Sequence, residues 1–185
     1  FNTGFDIALF GNRLLLSANY YNSRTTDMLY LYNVSVPPFT YNTLLANIGS
    51  MRNWGTEIAI GITPLKTKDM ELNINANITF QRNKLLSLSG MYNGEMLSAS
   101  EYKSLASLDG AGFHGGYNHI VYQMVGQPLG VFYLPHSTGL ESDGNGGYTY
   151  GIADLNGGGV SLEDGEDRYV AGQAVPKTIL GSNIS

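Results

Sequence analysis

Residues 71–83 read ELNINANITFQRN, and few backbone geometries accommodate that order of side chains. Leu72, Ile74, Ala76, Ile78 and Phe80 share one parity, while Glu71, Asn73, Asn75, Asn77, Thr79, Gln81 and Asn83 share the other. Successive side chains of a strand point to opposite faces, so the segment builds one apolar wall and one wall of amides. A helix would scatter both sets around its circumference. The run exceeds the ~5–6 residues usual for a soluble strand and reaches the ~9–11 of a membrane-crossing one.

The same alternation recurs in residues 54–63, where Thr56, Ile58, Ile60 and Ile62 oppose Gly55, Glu57, Ala59, Gly61 and Thr63. Residues 13–21 carry a less clean version, and Phe5, Ile7 and Leu9 alternate with Asp6 and Ala8. The connections are unequal. Residues 10–13 predict a tight hairpin and residues 64–69 (PLKTKD) a short polar turn, whereas residues 22–53 read as a long loop holding Pro37 and Pro38. Sorting of short turns and long loops to opposite ends is the habit of a membrane barrel. Residues 86–175 lose the period and read as a long loop region or a small inserted β subdomain. A last strand begins near Thr178 and is still running at Ser185.

Composition narrows the function classes. Abundant Gly (24) and Tyr (13) suit strands joined by many turns. A net charge of -5 leaves no basic footprint for nucleic acid. Without cysteine there is no disulfide framework and no thiolate metal or redox site. No secretory leader is legible at the N-terminus, and no apolar run reaches the ~20 residues of a membrane helix. The mean hydropathy of -0.09 does not argue for water, because a barrel strand averages its lipid and lumen faces.

Six phrases then resemble the C-terminal barrel half of the SusC/RagA family of TonB-linked outer-membrane importers. They are NTGFDIALFGNRLLLSANYYNSRTTDML (residues 2–29), NIGSMRNWGTEIAI (47–60), NANITFQRNKLLSL (75–88), VGQPLGVFYL (125–134), ADLNGGGVSLED (153–164) and AGQAVPKTILGSNIS (171–185). The resemblance implies an all-β, antiparallel transmembrane barrel of about 22 strands, of which residues 1–185 are a part. It implies a bacterial outer-membrane location and import of oligosaccharides or peptides, with TonB supplying energy and a SusD-like surface lipoprotein acting as lid. The plug and the TonB-contacting segment lie outside these phrases. On this reading residues 10–13 and 64–69 are periplasmic turns, residues 22–53 and 86–175 are extracellular, and the apolar faces meet outer-membrane lipid. Glu57, Asn73, Asn75 and Asn77 then face the lumen or the plug.

Asp154 and Asn156 begin a D-x-[DN]-x-[DN]-G pattern of the calcium-loop type, but the fifth position is Gly158 and the twelfth Gly165, where ligands are needed. The family usually places an acidic residue at the position of Gly158. Glu163, Asp164 and Asp167 stand near enough in sequence to substitute, and an ordered turn is the alternative. His114, His119 and His136 lack the pairing of a zinc site, and no cofactor is expected. Tyr20, Tyr21 and Trp54 flank strand ends, where an aromatic girdle sits. Tyr117, Tyr122, Tyr133, Tyr148 and Tyr150 are candidate stacking surfaces for a solute, against core packing of a small subdomain. Glu57 and Glu71 lack the context of a glycosidase pair, and no nucleophile elbow, P-loop or zinc-protease motif occurs. An enzyme is not expected.

Two readings therefore compete: an importer wall, or a soluble all-β binding module, extracellular and sugar-binding. Ile58, Ile60, Ile74 and Ile78 separate them. Outward on a curved sheet they support the wall, and sealed between packed sheets they support the module.

Overall fold

A computed structural model describes residues 1–99, 102–107, 119–161 and 166–185. Along the chain these form β1 (Asn2–Leu9), β2 (Leu14–Asn33), β3 (Thr43–Lys66), β4 (Glu71–Ser87), β5 (Ser89–Tyr92), β6 (Glu95–Ser98), β7 (Tyr102–Ser107), β8 (His119–Met124), β9 (Val131–Pro135), β10 (Ser137–Ser142), β11 (Tyr148–Ile152), β12 (Arg168–Gln173) and β13 (Thr178–Ile184). The chain divides into two units. One comprises residues 1–100, 125–127 and 175–185, the other residues 101–124 and 128–174.

The first unit is an antiparallel sheet in the order β1-β2-β3-β4-β13. Its register explains the alternation. Directly opposed residues share a face, so Phe5, Ala18, Ile58, Ile78 and Leu180 form one lateral row. Ile7, Leu16, Ile60, Ala76 and Ser182 form the next. Leu9, Leu14, Ile62, Ile74 and Ile184 follow. This face is not sealed: Ile58 is 42% exposed, Ile60 40% and Leu180 75%. Among the described residues of the first unit no second sheet interdigitates with these isoleucines, as the wall arrangement requires.

The hairpins follow local chemistry. Residues 10–13 turn as expected, with Phe10, Gly11 and Asn12 all at positive φ. The second short turn is tighter than its sequence suggests. Pro64, Leu65 and Lys66 belong to β3, and only residues 67–70 turn, with Thr67 Oγ1 accepting from the Met70 amide at 3.1 Å. Pro64 is accommodated because it falls within the register shift between Ile62 and Leu65, where no ladder bond requires its missing N–H.

The expected long loop at 22–53 is a correction. β2 and β3 stay paired out to Asn33 and Thr43, leaving only residues 34–42 as connection. This outer stretch lacks the alternation because contacts distant in sequence decide which of its side chains are buried. A local register shift beside Asp27 (φ 59°) further blurs the period. Its order comes from packing: Tyr32, Ala46 and Leu97 form a buried cluster, with Tyr92 and Phe39 packed against it, so the β5–β6 hairpin covers the β2–β3 extension.

Tyr21 lies on the same parity as Ser17 and Asn19. It pairs with Gly55 on the amide face, not the apolar one. A Cβ on Gly55 would lie 2.6 Å from Tyr21 Oη and 2.5 Å from the Phe80 carbonyl oxygen, so glycine at this position lets the phenol lie flat across the wall.

The second unit holds a four-stranded sheet, β12-β9-β8-β7, and a separate β10–β11 hairpin. Among the described residues of 86–175, strands β5 to β12 occur. Tyr122 and Val131 are fully buried and pack with Tyr133 and Met124.

Candidate functional site

The amide face of the first unit is a polar surface organised by five strands. Asp6, Ser17, Ala59, Asn77 and Gly181 make one row, and Gly4, Asn19, Glu57, Thr79 and Ile179 the adjoining one. Small residues at Ala8, Ala59 and Gly61 leave a hollow of about 500 Å³ edged by Asp6, Asn75 and Asn77. Glu57, Asn75 and Asn77 are exposed on this face. Asn73 is more committed: its Oδ1 accepts from Thr63 Oγ1 at 2.8 Å, and its Nδ2 donates to Glu71 at 3.3 Å. Glu71 in turn pairs with Lys66 at 2.8 Å. The wall offers donors, acceptors and two carboxylates (Asp6, Glu57) to a polar neighbour, and no nucleophile with a base.

The candidate tyrosines separate by burial. Tyr122 is fully buried and Tyr133 is 9% exposed, their rings meeting edge to face at 5.3 Å. Tyr148 and Tyr150 are 75% and 58% exposed. They stand two residues apart on β11, hence on one face, opposite Ser142 and Leu140. Tyr117 and His114 lie outside the described residues. His119 Nδ1 contacts Ser104 Oγ at 2.9 Å, and the His136 ring packs on Tyr169 at 5.4 Å.

The glycine-rich turn is ordered by carboxylates that accept from backbone. Asp154 takes the amides of Gly157 and Gly159 at 2.5 and 3.0 Å. Asn156 Oδ1 takes that of Gly158 at 2.8 Å, and its Nδ2 donates to Glu166. Asp167, fully buried, accepts from Leu155 at 2.6 Å, Ser161 at 2.8 Å and Asn156 at 3.3 Å. Among the described residues no group of three carboxylates or imidazoles converges as a cation would require. Glu163 and Asp164 lie outside the described residues.

Asp167 and its neighbour Arg168 organise the insert, and the sequence did not single out Arg168. Its guanidinium donates to the His119 carbonyl and the Tyr122 hydroxyl, both at 3.1 Å, and to the Tyr133 carbonyl at 3.4 Å. It also lies 5.8 Å from the Tyr122 ring centre. The amides of Ser161 and Leu155, and then Asn156, hold the Asp167 carboxyl below the usual aspartate range, against the opposing effect of burial. A depressed pKa means the bound form gains stability above the unfolded value of about 3.9 and loses it as pH falls through the lower folded value. Protection of the Leu155, Asn156 and Ser161 amides, relative to their intrinsic exchange rates, is therefore expected to be full near neutral pH and to be lost only in acid, as Asp167 protonates below the usual aspartate range. In Asp167→Asn these amides should exchange fast at neutral pH as well. Unchanged protection in that variant would refute the role given to this carboxylate.

An open sheet with one exposed apolar face and one polar face is the class of surface found in the wall of a membrane β-barrel. The chain belongs to the TonB dependent receptor-like β-barrel family, which matches residues 1–172. It is a family of outer-membrane proteins and not of enzymes. TonB-dependent receptor P39 of Formosa agariphila is 31% identical over 147 residues, covering 77% of this chain and 12% of that protein. TonB-dependent receptor SusC of Bacteroides thetaiotaomicron is 30% identical over 89 residues, 48% of this chain and 9% of SusC. The solved RagAB peptide importer in its open-open state superposes with a TM-score of 0.65 at 20% identity, over 98% of this chain and 18% of that one. The chain spans 12% and 18% of the first two curated relatives. The SusC/RagA resemblance and the antiparallel barrel-fragment fold expected from the sequence both hold.

Proposed function

We propose that this chain supplies part of the wall and one large external loop of an importer that carries oligosaccharides or peptides across the bacterial outer membrane. TonB energises the full-length protein, and a SusD-like surface lipoprotein covers it. The observation that supports this most directly is the two-faced five-stranded sheet. Its apolar rows face lipid, while Glu57, Asn73, Asn75 and Asn77 face the lumen or a plug. Residues 86–175 lie outside the cell, where exposed Tyr148 and Tyr150 offer ring faces to the solute. Transport needs no chemistry on the solute: binding outside, followed by plug rearrangement, suffices.

The test uses the full-length receptor in its native host. Deletion is expected to abolish uptake of one labelled class, oligosaccharide or peptide, and that result names the solute. Tyr148→Ala combined with Tyr150→Ala should weaken solute binding by about tenfold, two ring contacts at ~0.5–1.5 kcal/mol each. Undiminished uptake of both classes after deletion would end the importer reading.

A further inference from the structure

Beyond its apolar rows, the outer face of the first unit changes character abruptly. Tyr20, Thr56 and Phe80 form the next row, then Asn22, Trp54 and Arg82, and then Arg24, Arg52 and Lys84. All nine lie in a stretch where both registers run without a shift, so they continue the face that carries Ile58 and Ile78. Three cations thus sit side by side on three adjacent strands, about 4.8 Å apart from strand to strand. Like charges directly opposed across strands destabilise a sheet. A row of three is tolerated where an anion lies across it.

The side chains are arranged for such an anion. Arg24, Arg52 and Lys84 are exposed. Arg52 is positioned by its Nε, which donates to Asn22 Oδ1 at 2.9 Å, and by Trp54, whose ring centre lies 5.1 Å from the guanidinium carbon. Its two terminal nitrogens remain available among the described residues. The Arg24 and Lys84 side chains make no hydrogen bond or ion pair among the described residues. Arg82, one row nearer the apolar band, donates to the Gln81 and Lys177 carbonyls at 2.7 and 3.0 Å. Four of the chain's 10 cationic side chains gather in these two rows of an otherwise acidic protein.

Depth selects the anion. From Leu72 to Phe80 the apolar face runs about 27 Å along the strand at ~3.4 Å per residue. With the ~40° tilt of barrel strands that is about 20 Å along the membrane normal, close to the ~25 Å of a barrel's hydrocarbon band. Lys84 lies four residues further, about 10 Å higher on the same arithmetic, at headgroup depth. We propose that Arg24, Arg52 and Lys84 form a binding site for the phosphate of a membrane lipid headgroup, in the leaflet at the end of the sheet opposite the short turns. The site rests on the wall reading above. Arg52 supplies the planar fork for phosphate oxygens, Arg24 and Lys84 flank it, and Trp54 borders the acyl chains.

Native mass spectrometry of the full-length receptor in detergent tests this, with lipid A, lipid A stripped of phosphate, and inorganic phosphate as probes. The receptor is expected to hold lipid A, and Arg24→Gln/Arg52→Gln/Lys84→Gln to bind it on the order of a hundredfold more weakly, about fivefold per charge. Arg24→Lys/Arg52→Lys should bind between the two, since the charge stays and the planar fork is lost. A heat-modifiable band on gels verifies that each variant is a folded barrel. Equal binding of the dephosphorylated lipid, equal occupancy by inorganic phosphate alone, or full retention in the triple variant would each overturn the site. Failure of the wild-type receptor to fractionate with outer membranes is a different result, and it removes the wall reading itself.

Discussion

Ile58→Arg in the full-length receptor is expected to block barrel assembly almost completely. Ile58 lies mid-row between Ala18 and Ile78, on the exposed apolar face. An arginine near the bilayer midplane costs roughly 2–4 kcal/mol in a barrel, and falls to about zero near the interface. The matched control is Asn77→Arg, one residue from Ile78 on β4 and hence on the opposite face. That variant should assemble at close to wild-type yield, because on the proposed function its charge enters a wet lumen. The readout is the folded, heat-modifiable fraction in purified outer membranes. Assembly of the first variant together with loss of the second would reverse the assignment of the two faces.

Arg168→Ala should act elsewhere, on the insert alone. The substitution removes donors from the His119 and Tyr133 carbonyls and from the Tyr122 hydroxyl at the buried end of the second unit. Hydrogen bonds from charged donors contribute about 1.5–3 kcal/mol each where the acceptor stays buried. A net loss of about 3 kcal/mol is expected, since some acceptors will recruit water. Limited proteolysis of the full-length receptor should then cleave within residues 102–174 while the barrel remains heat-modifiable. Arg168→Lys should restore protection only in part, because a lysine ammonium lacks the fixed planar fork. Protease resistance equal to wild type in the alanine variant would show that this side chain does not hold the insert together.

What the sequence disclosed follows from where burial is one-sided. β4 was legible because one face meets an apolar environment and the other does not, so Ile74, Ile78 and Asn75, Asn77 separate by parity. The outer parts of β2 and β3 were not, since Tyr32 and Ala46 pack against Leu97 of a hairpin some fifty residues away or more. That contact leaves no local period. The insert hid its organisation for a similar reason. Asp167 meets Leu155 across 12 residues, and Arg168 meets the His119 carbonyl across 49. A spacing argument sees an Asp-Arg pair in an acidic, glycine-rich stretch and nothing more. The tyrosine candidates illustrate the same limit: composition marked Tyr122, Tyr133, Tyr148 and Tyr150 alike, and only the β8–β9 pairing distinguishes the first two as packing residues.

β13 hydrogen-bonds directly to β4, although ninety residues of sequence intervene between Ser87 and Thr178. To the barrel staves, that whole excursion is equivalent to a single bend. Changes confined to residues 128–174, in the second unit, leave the pairing of β4 with β13 untouched. On the proposed function, selection can therefore rework the part that meets the solute while the container that crosses the bilayer stays as it is.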